Sequence, residues 1–220
     1  MNDAEYALRK EIVQSCRDMN ALGINQGTSG NIGVRWQDGL LITPSGLEYD
    51  KMTPEDIVHL HPDGSHDGTL LPSSEWRFHR DIIAARGDVN AVVHTHALYC
   101  TAIAMARRDI PAVHYMIAAA GGATVRCADY ATFGTVALSE AALKALEGRM
   151  CCLLANHGMI ACGVNLRKAM WLAKELETLA QQYVISLQFA VPVVLPDDEI
   201  DLTIEKFKSY GPRPENTPRE

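Results

Sequence analysis

The chain has 220 residues, 47% hydrophobic and 21% charged, which suits one large domain with a buried core. Its net charge of −7 and sequence pI near 5.6 argue against a nucleic-acid surface. No segment reaches the ~18–20 uninterrupted apolar residues of a membrane span.

The opening MNDAEYALRKEIV carries acids and no long apolar run, so it does not read as a signal peptide. Apolar side chains at Leu8, Ile12, Cys16 and Met19 predict a helix over 4–21, stopped by Gly23. The stretch 25-NQGTSGN-31 follows as a glycine-rich loop. Then 31-NIGVRWQDGLLIT-43, with its QDG turn, predicts a β-hairpin. Thr53 is an N-cap candidate with Pro54 at the first helical position. Residues 57–61 predict a strand ending in a PDG turn. Ser73 or Ser74 can cap a helix running to about Ala85.

Residues 90–95 predict a strand, 97–107 a helix, and 123–127 a short strand. A helix over 136–147 ends at Gly148. Next, 150-MCCLLA-155 and 159-MIACG-163 predict two strands about the corner NHG. The longest helix covers 166–189 and a last one 198–209. Residues 1–210 read as one domain and the Pro-rich 211–220 as a mobile tail. Alternating strands and helices give an α/β protein with a sheet between helical layers. The pattern leaves parallel and antiparallel pairing open, although short turns such as QDG favour antiparallel neighbours. The cysteines Cys16, Cys100, Cys127, Cys151, Cys152 and Cys162 have no framework spacing. They read as small core residues in a reducing compartment, and the protein as cytoplasmic.

Two histidine pairs stand at strand positions, 93-VHTHA-97 and 58-VHLHP-62. Side chains at i and i+2 of a strand share a face, so either pair could reach one ion. A metal site needs a third ligand, and His157 in the NHG corner is the best candidate. Its plain alternative is a corner histidine bonded to backbone. Gly158 would allow the sharp path there. His59 and His61 precede a surface turn and read as ordinary histidines. In 72-PSSEWRFH-79 the serines are capping residues on the bland reading, with Glu75 as a first-turn acid. The same N–H groups and hydroxyls could bind an anion beside a carboxylate base or metal ligand. The loops 25-NQGTSGN-31 and 43-TPSG-46 offer backbone N–H groups suited to phosphate, with no nucleotide-binding fingerprint.

Taken together, NQGTSGN, ITPSG, LPSSEWRFH, AVVHTHA, IPAVHYMIAAAGG, YATFGT and NHGMIACG resemble, in that order, the class II aldolases of the L-fuculose-1-phosphate aldolase type. The resemblance runs from about residue 7 to 210. It implies a single-domain three-layer α/β/α fold with a central, mainly antiparallel sheet. It implies His94, His96 and His157 as ligands of a divalent ion, zinc first, with manganese or cobalt as alternatives. Glu75 would be both a ligand of the empty enzyme and the catalytic base. Asn31, Ser45, Gly46, Ser73 and Ser74 match the phosphate pocket, with Thr28 and Gly30 nearby. Tyr115 matches a tyrosine reaching a neighbouring subunit's site, and Phe133 an aromatic near the aldehyde end. Ser29 departs slightly, being often alanine in relatives.

The implied activity is metal-dependent cleavage of a deoxy-ketose 1-phosphate, first L-fuculose 1-phosphate, to dihydroxyacetone phosphate and a short aldehyde. The alternative substrates are 5-deoxyribulose and 5-methylthioribulose 1-phosphates. A pentulose 5-phosphate 4-epimerase, a methylthioribulose 1-phosphate dehydratase and a non-catalytic adducin-like scaffold rank below. The implied assembly is a homotetramer with sites between subunits, and the partner is a small sugar phosphate.

Overall fold

The computed structural model describes residues 1–209; the expected tail at 211–220 lies outside them. Helix α1, Asp3–Ala21, starts where the Asn2 side chain accepts from the Glu5 N–H at 2.9 Å and stops before Gly23, at φ +70°. Strands β1 (Asn31–Trp36) and β2 (Gly39–Ile42) form the expected hairpin, and β3 (Val58–Leu60) adds to its edge. Between them, Thr53 and Asp56 form a reciprocal capping box around a single helical turn, Pro54–Asp56. Then come α2 (Trp76–Ala85), β4 (Ala91–Thr95) and α3 (Leu98–Met105).

The predicted strand at 123–127 is two strands. β5 (Ile110–Pro111) pairs with β6 (Thr124–Val125) in a small separate sheet, and β7 (Cys127–Ala128) joins the main one. Arg126 separates the two. Its guanidinium reaches the carbonyls of Ala145 and Glu147, at the end of α4 (Val136–Ala145). A 3-10 turn at Tyr115–Ala120 carries no periodic apolar signal and was not expected. The last described elements are β8 (Cys151–Leu154), β9 (Gly158–Gly163), α5 (Leu166–Ser186) and α6 (Asp197–Lys208).

The main sheet runs β3-β2-β1-β4-β9-β8-β7. Among the described residues only the β7–β8 pair is parallel, so the sheet is mainly antiparallel, as the short connections favoured. Period-two alternation sends neighbours to opposite layers. In β4, Ala91 and Val93 pack under α1, α3 and α5, while Val92 packs under α2 and α4. In β8, Cys151 faces the first layer and Cys152 the second. Both thiols are free, fully buried and pushed above their usual pKa by burial, which makes them inert core residues. Each buried aliphatic side chain in these layers contributes about 1.5–3 kcal/mol. The two cores therefore hold the sheet rigid from both sides, a fixed platform for residues at its ends. No described helix is long and apolar enough to cross a membrane.

Candidate metal centre

Antiparallel register brings distant residues to one end of the sheet. β1 begins at Asn31 beside His94 near the end of β4, and Thr95 stands opposite Met159 at the start of β9. Two glycines make this approach possible. A Cβ on Gly30 would lie 2.7 Å from the His94 carbonyl oxygen, and one on Gly158 would lie 2.5 Å from that of Thr95. Gly158 thus serves close packing rather than the sharp path first expected of it. The left-handed residue of the corner is Asn156, at φ +53°. Its Oδ1 accepts from Arg107 Nε at 2.8 Å.

His94, His96 and His157 meet there with mutual ring-centroid separations of 4.8 to 5.0 Å. Glu75 enters from the opposite element. Its Oε2 lies 3.2 Å from His94 Nε2 and its Oε1 lies 3.2 Å from His157 Nε2. The expected serine caps give way to a later start. Helix α2 begins at Trp76, and Glu75 occupies the cap position with its side chain turned to the histidines. Ser73 Oγ instead accepts from the Glu75 N–H at 3.3 Å.

These four residues fit a metal ion. One ligand atom of each lies within 4.8 Å of all the others. His94 Nδ1 bonds the Met159 carbonyl at 2.9 Å, which places the proton on Nδ1 and leaves the Nε2 lone pair toward Glu75. His94 Nε2, His96 Nε2 and Glu75 Oε1 are buried without hydrogen-bond partners. Three orphaned buried acceptors around one point are costly unless a cation satisfies them.

The electrostatics agree. Burial alone would raise the Glu75 pKa, but the His94 and His157 imidazoles beside it outweigh that and hold the carboxyl ionised, far below the usual range. Burial, with the His94 and His157 charges, pushes His96 down to about 4, so it is a neutral ligand at pH 7. Behind them, Asn31 Nδ2 donates to Glu75 Oε2 at 3.0 Å, and Asn31 Oδ1 bonds His79 Nε2 at 2.5 Å. His79 is fully buried, and burial lowers its pKa to about 3. It was not singled out from sequence; only its place in the quoted stretch PSSEWRFH hinted at it.

A cavity of about 280 Å³ opens over the cluster, lined by Ser74, Glu75, His96, His157, Tyr130 and Phe133. The wider groove of about 570 Å³ between α1 and α5 contains no histidine, so the chemistry belongs to the smaller one. Tyr130 is a lining residue that sequence reasoning missed, although the quoted YATFGT contains it. The phosphate-loop residues gather nearby. The Ser45 N–H bonds the Leu71 carbonyl at 3.0 Å, and Pro44 bridges to Pro72, which sets loop 43–46 beside Ser73 and Ser74. Gly46 adopts φ +69° and Ser45 is exposed. Thr28 is exposed in its loop. The Asn31 side chain is committed to Glu75 and His79 rather than free. Tyr115 stands apart, half exposed and stacked on His114, and does not line the cavity of its own chain.

The class II aldolase and adducin N-terminal domain family model matches residues 10–184. The chain is 55% identical over 207 residues to the L-fuculose phosphate aldolase of Escherichia coli (strain K12), covering 94% of this chain and 96% of that one. It is 54% identical over 211 residues to a 5-methylthioribulose-1-phosphate/5-deoxyribulose-1-phosphate aldolase of Rhodospirillum rubrum, covering 96% of each. A solved L-fuculose 1-phosphate aldolase superposes with a TM-score of 0.90 at 40% identity, covering 92% of this chain and 96% of that one.

Proposed function

The chain belongs to the class II aldolase and adducin N-terminal domain family, and we propose that it reversibly cleaves L-fuculose 1-phosphate to dihydroxyacetone phosphate and L-lactaldehyde. It is an aldolase, a carbon–carbon lyase. The observation that carries the reading is the position of Glu75, ionised and 6% exposed, between His94 and His157 at the floor of the cavity.

In cleavage the C4 hydroxyl loses its proton and the C3–C4 bond breaks. The aldehyde leaves with the carbonyl formed at C4, and the bonding electrons stay on the dihydroxyacetone phosphate half. Glu75 carries the proton that C3 then takes up, and synthesis runs the same steps backward. A zinc ion held by His94, His96 and His157, with Glu75 as a fourth ligand only in the absence of substrate, would supply positive charge for the charge that develops on that half, and manganese or cobalt could substitute. Asn31 keeps the Glu75 carboxylate aimed. Ser45, Gly46, Ser73 and Ser74, with Thr28 and Gly30 beside them, receive the phosphate through N–H groups and hydroxyls. Phe133 and Tyr130 bound the aldehyde end. Tyr115 of a neighbouring copy in the proposed homotetramer relays the C4 hydroxyl proton. The reading places the enzyme in the cytoplasm.

Near-equal similarity to enzymes of both names supports a second reading, cleavage of 5-deoxyribulose or 5-methylthioribulose 1-phosphate with the same catalytic set. An intact Glu75 argues against the epimerase, and four intact ligands argue against a scaffold. The test is release of dihydroxyacetone phosphate from fuculose, rhamnulose, deoxyribulose and methylthioribulose 1-phosphates, with ribulose 5-phosphate as the epimerase control. Highest kcat/KM on the fuculose ester supports the first reading. Release from none of the four would exclude both.

A further inference from the structure

The second histidine pair is not the ordinary pair that its turn suggested. His59 of edge strand β3 and His61 directly after it bring their ring centroids to 4.5 Å. Two flanking segments bring carboxylates to them. The β1–β2 turn supplies Asp38, next to Gln37 at φ +52°. The loop after β3 folds back through the His61 N–H to Ser65 carbonyl bond at 2.8 Å and the Asp67 N–H to His59 carbonyl bond at 3.0 Å. That return sets the Asp67 carboxylate across both rings, 3.0 Å from His59 Nδ1 and 3.0 Å from His61 Nε2.

Two observations then point to a cation. One ligand atom from each of Asp38, His59 and His61 lies within 4.8 Å of the other two. His59 has a side chain only 11% exposed, and its Nε2 is buried with no hydrogen-bond partner, as His94 Nε2 and His96 Nε2 are in the catalytic centre. Asp38 is exposed and accepts no hydrogen bond among the described residues, so its carboxylate is free to meet an ion.

We propose that Asp38, His59 and His61 form a second divalent-ion site, separate from the catalytic centre, with Asp67 setting the tilt of both imidazoles. Two imidazoles and a carboxylate suit an ion of the zinc, nickel or copper class and not calcium or magnesium. A carboxylate holding the ligand rings is the usual orienting partner of metal-bound histidine. The site lies at the turn end of the β1–β2 hairpin, whereas Asn31 marks the catalytic end. At about 3.3 Å per residue the two are roughly 16 Å apart along β1. A bound ion would pin the hairpin turn to the edge strand, so its effect is on stability and not on turnover.

The probe is zinc alone, counted per subunit after gel filtration and followed by thermal melting. In the unaltered chain two ions per subunit are expected, falling to one in His61→Ala with aldolase activity retained. In the His94→Ala/His96→Ala background one ion should remain, and added zinc should raise the melting temperature. Adding His61→Ala or Asp38→Ala to that background should remove both the ion and the shift. One ion per subunit both before and after His61→Ala in the unaltered chain would overturn the proposal. So would a folded His94→Ala/His96→Ala background that binds no zinc, or one whose ion survives His61→Ala. Aldolase activity reports on the other centre, so failure of either assignment is read independently.

Discussion

The Asn31 side-chain amide donates to Glu75 Oε2 at 3.0 Å, while its oxygen is held by His79 at 2.5 Å. An amide fixed at both ends acts as a splint for the carboxylate that moves the proton. Asn31→Ala should therefore lower kcat about ten- to a hundred-fold, the usual cost of losing an orienting partner, with KM little changed. Steady-state kinetics checks this. A raised KM at unchanged kcat would instead place the work of Asn31 on the phosphate.

Glu75→Gln keeps the shape and an oxygen ligand but removes the proton carrier. We expect the divalent ion to be retained and hydrogen exchange at C3 of dihydroxyacetone phosphate in heavy water to stop. Proton NMR of the exchanging signal is the measurement. Continued exchange at the unaltered rate would remove Glu75 from the role of base.

Removing one imidazole leaves the remaining ligand set open. His94→Ala and His96→Ala should each lose the ion of the catalytic centre and, with it, activity. His59→Ala and His61→Ala should leave both in place. Metal content and turnover of the same preparations decide it, and full activity in His94→Ala would contradict the assignment.

His79 sets an acid limit on stability. Burial, then the His94 charge, lowers its pKa to about 3 in the folded chain, against about 6.5 unfolded. As pH falls below about 6.5 the unfolded chain takes up this proton first. Stability is therefore full above that pH and is lost progressively toward about pH 3. The slope within the window is about 1.4 kcal/mol per pH unit for one such group. His79→Gln should flatten it, as read from denaturant midpoints across pH. An unchanged slope would assign the acid loss to other groups.

Local chemistry made much of this fold legible. Helices α1 and α5 carry long 3–4 periodicities, the QDG turn specifies the hairpin, and Gly148 ends the segment after α4 at φ +64°. Short elements were less legible, because two-residue strands such as β6 and β7 owe their pairing to distant partners rather than to their own pattern. The four ligands were visible as residue types in quoted stretches whose order resembles one family.

Periodicity, turn residues and ligand types are local properties, so the α/β class and the residues able to do chemistry are readable along the chain. How they combine depends on the folded arrangement. Antiparallel register put Asn31 beside His94, a helix starting one residue late turned Glu75 inward, and a returning loop laid Asp67 across His59 and His61. Two His-x-His pairs of identical spacing differ because carboxylates from remote segments reach each in a different way. Such convergence depends on chain folding over tens of residues, which no spacing within a strand encodes.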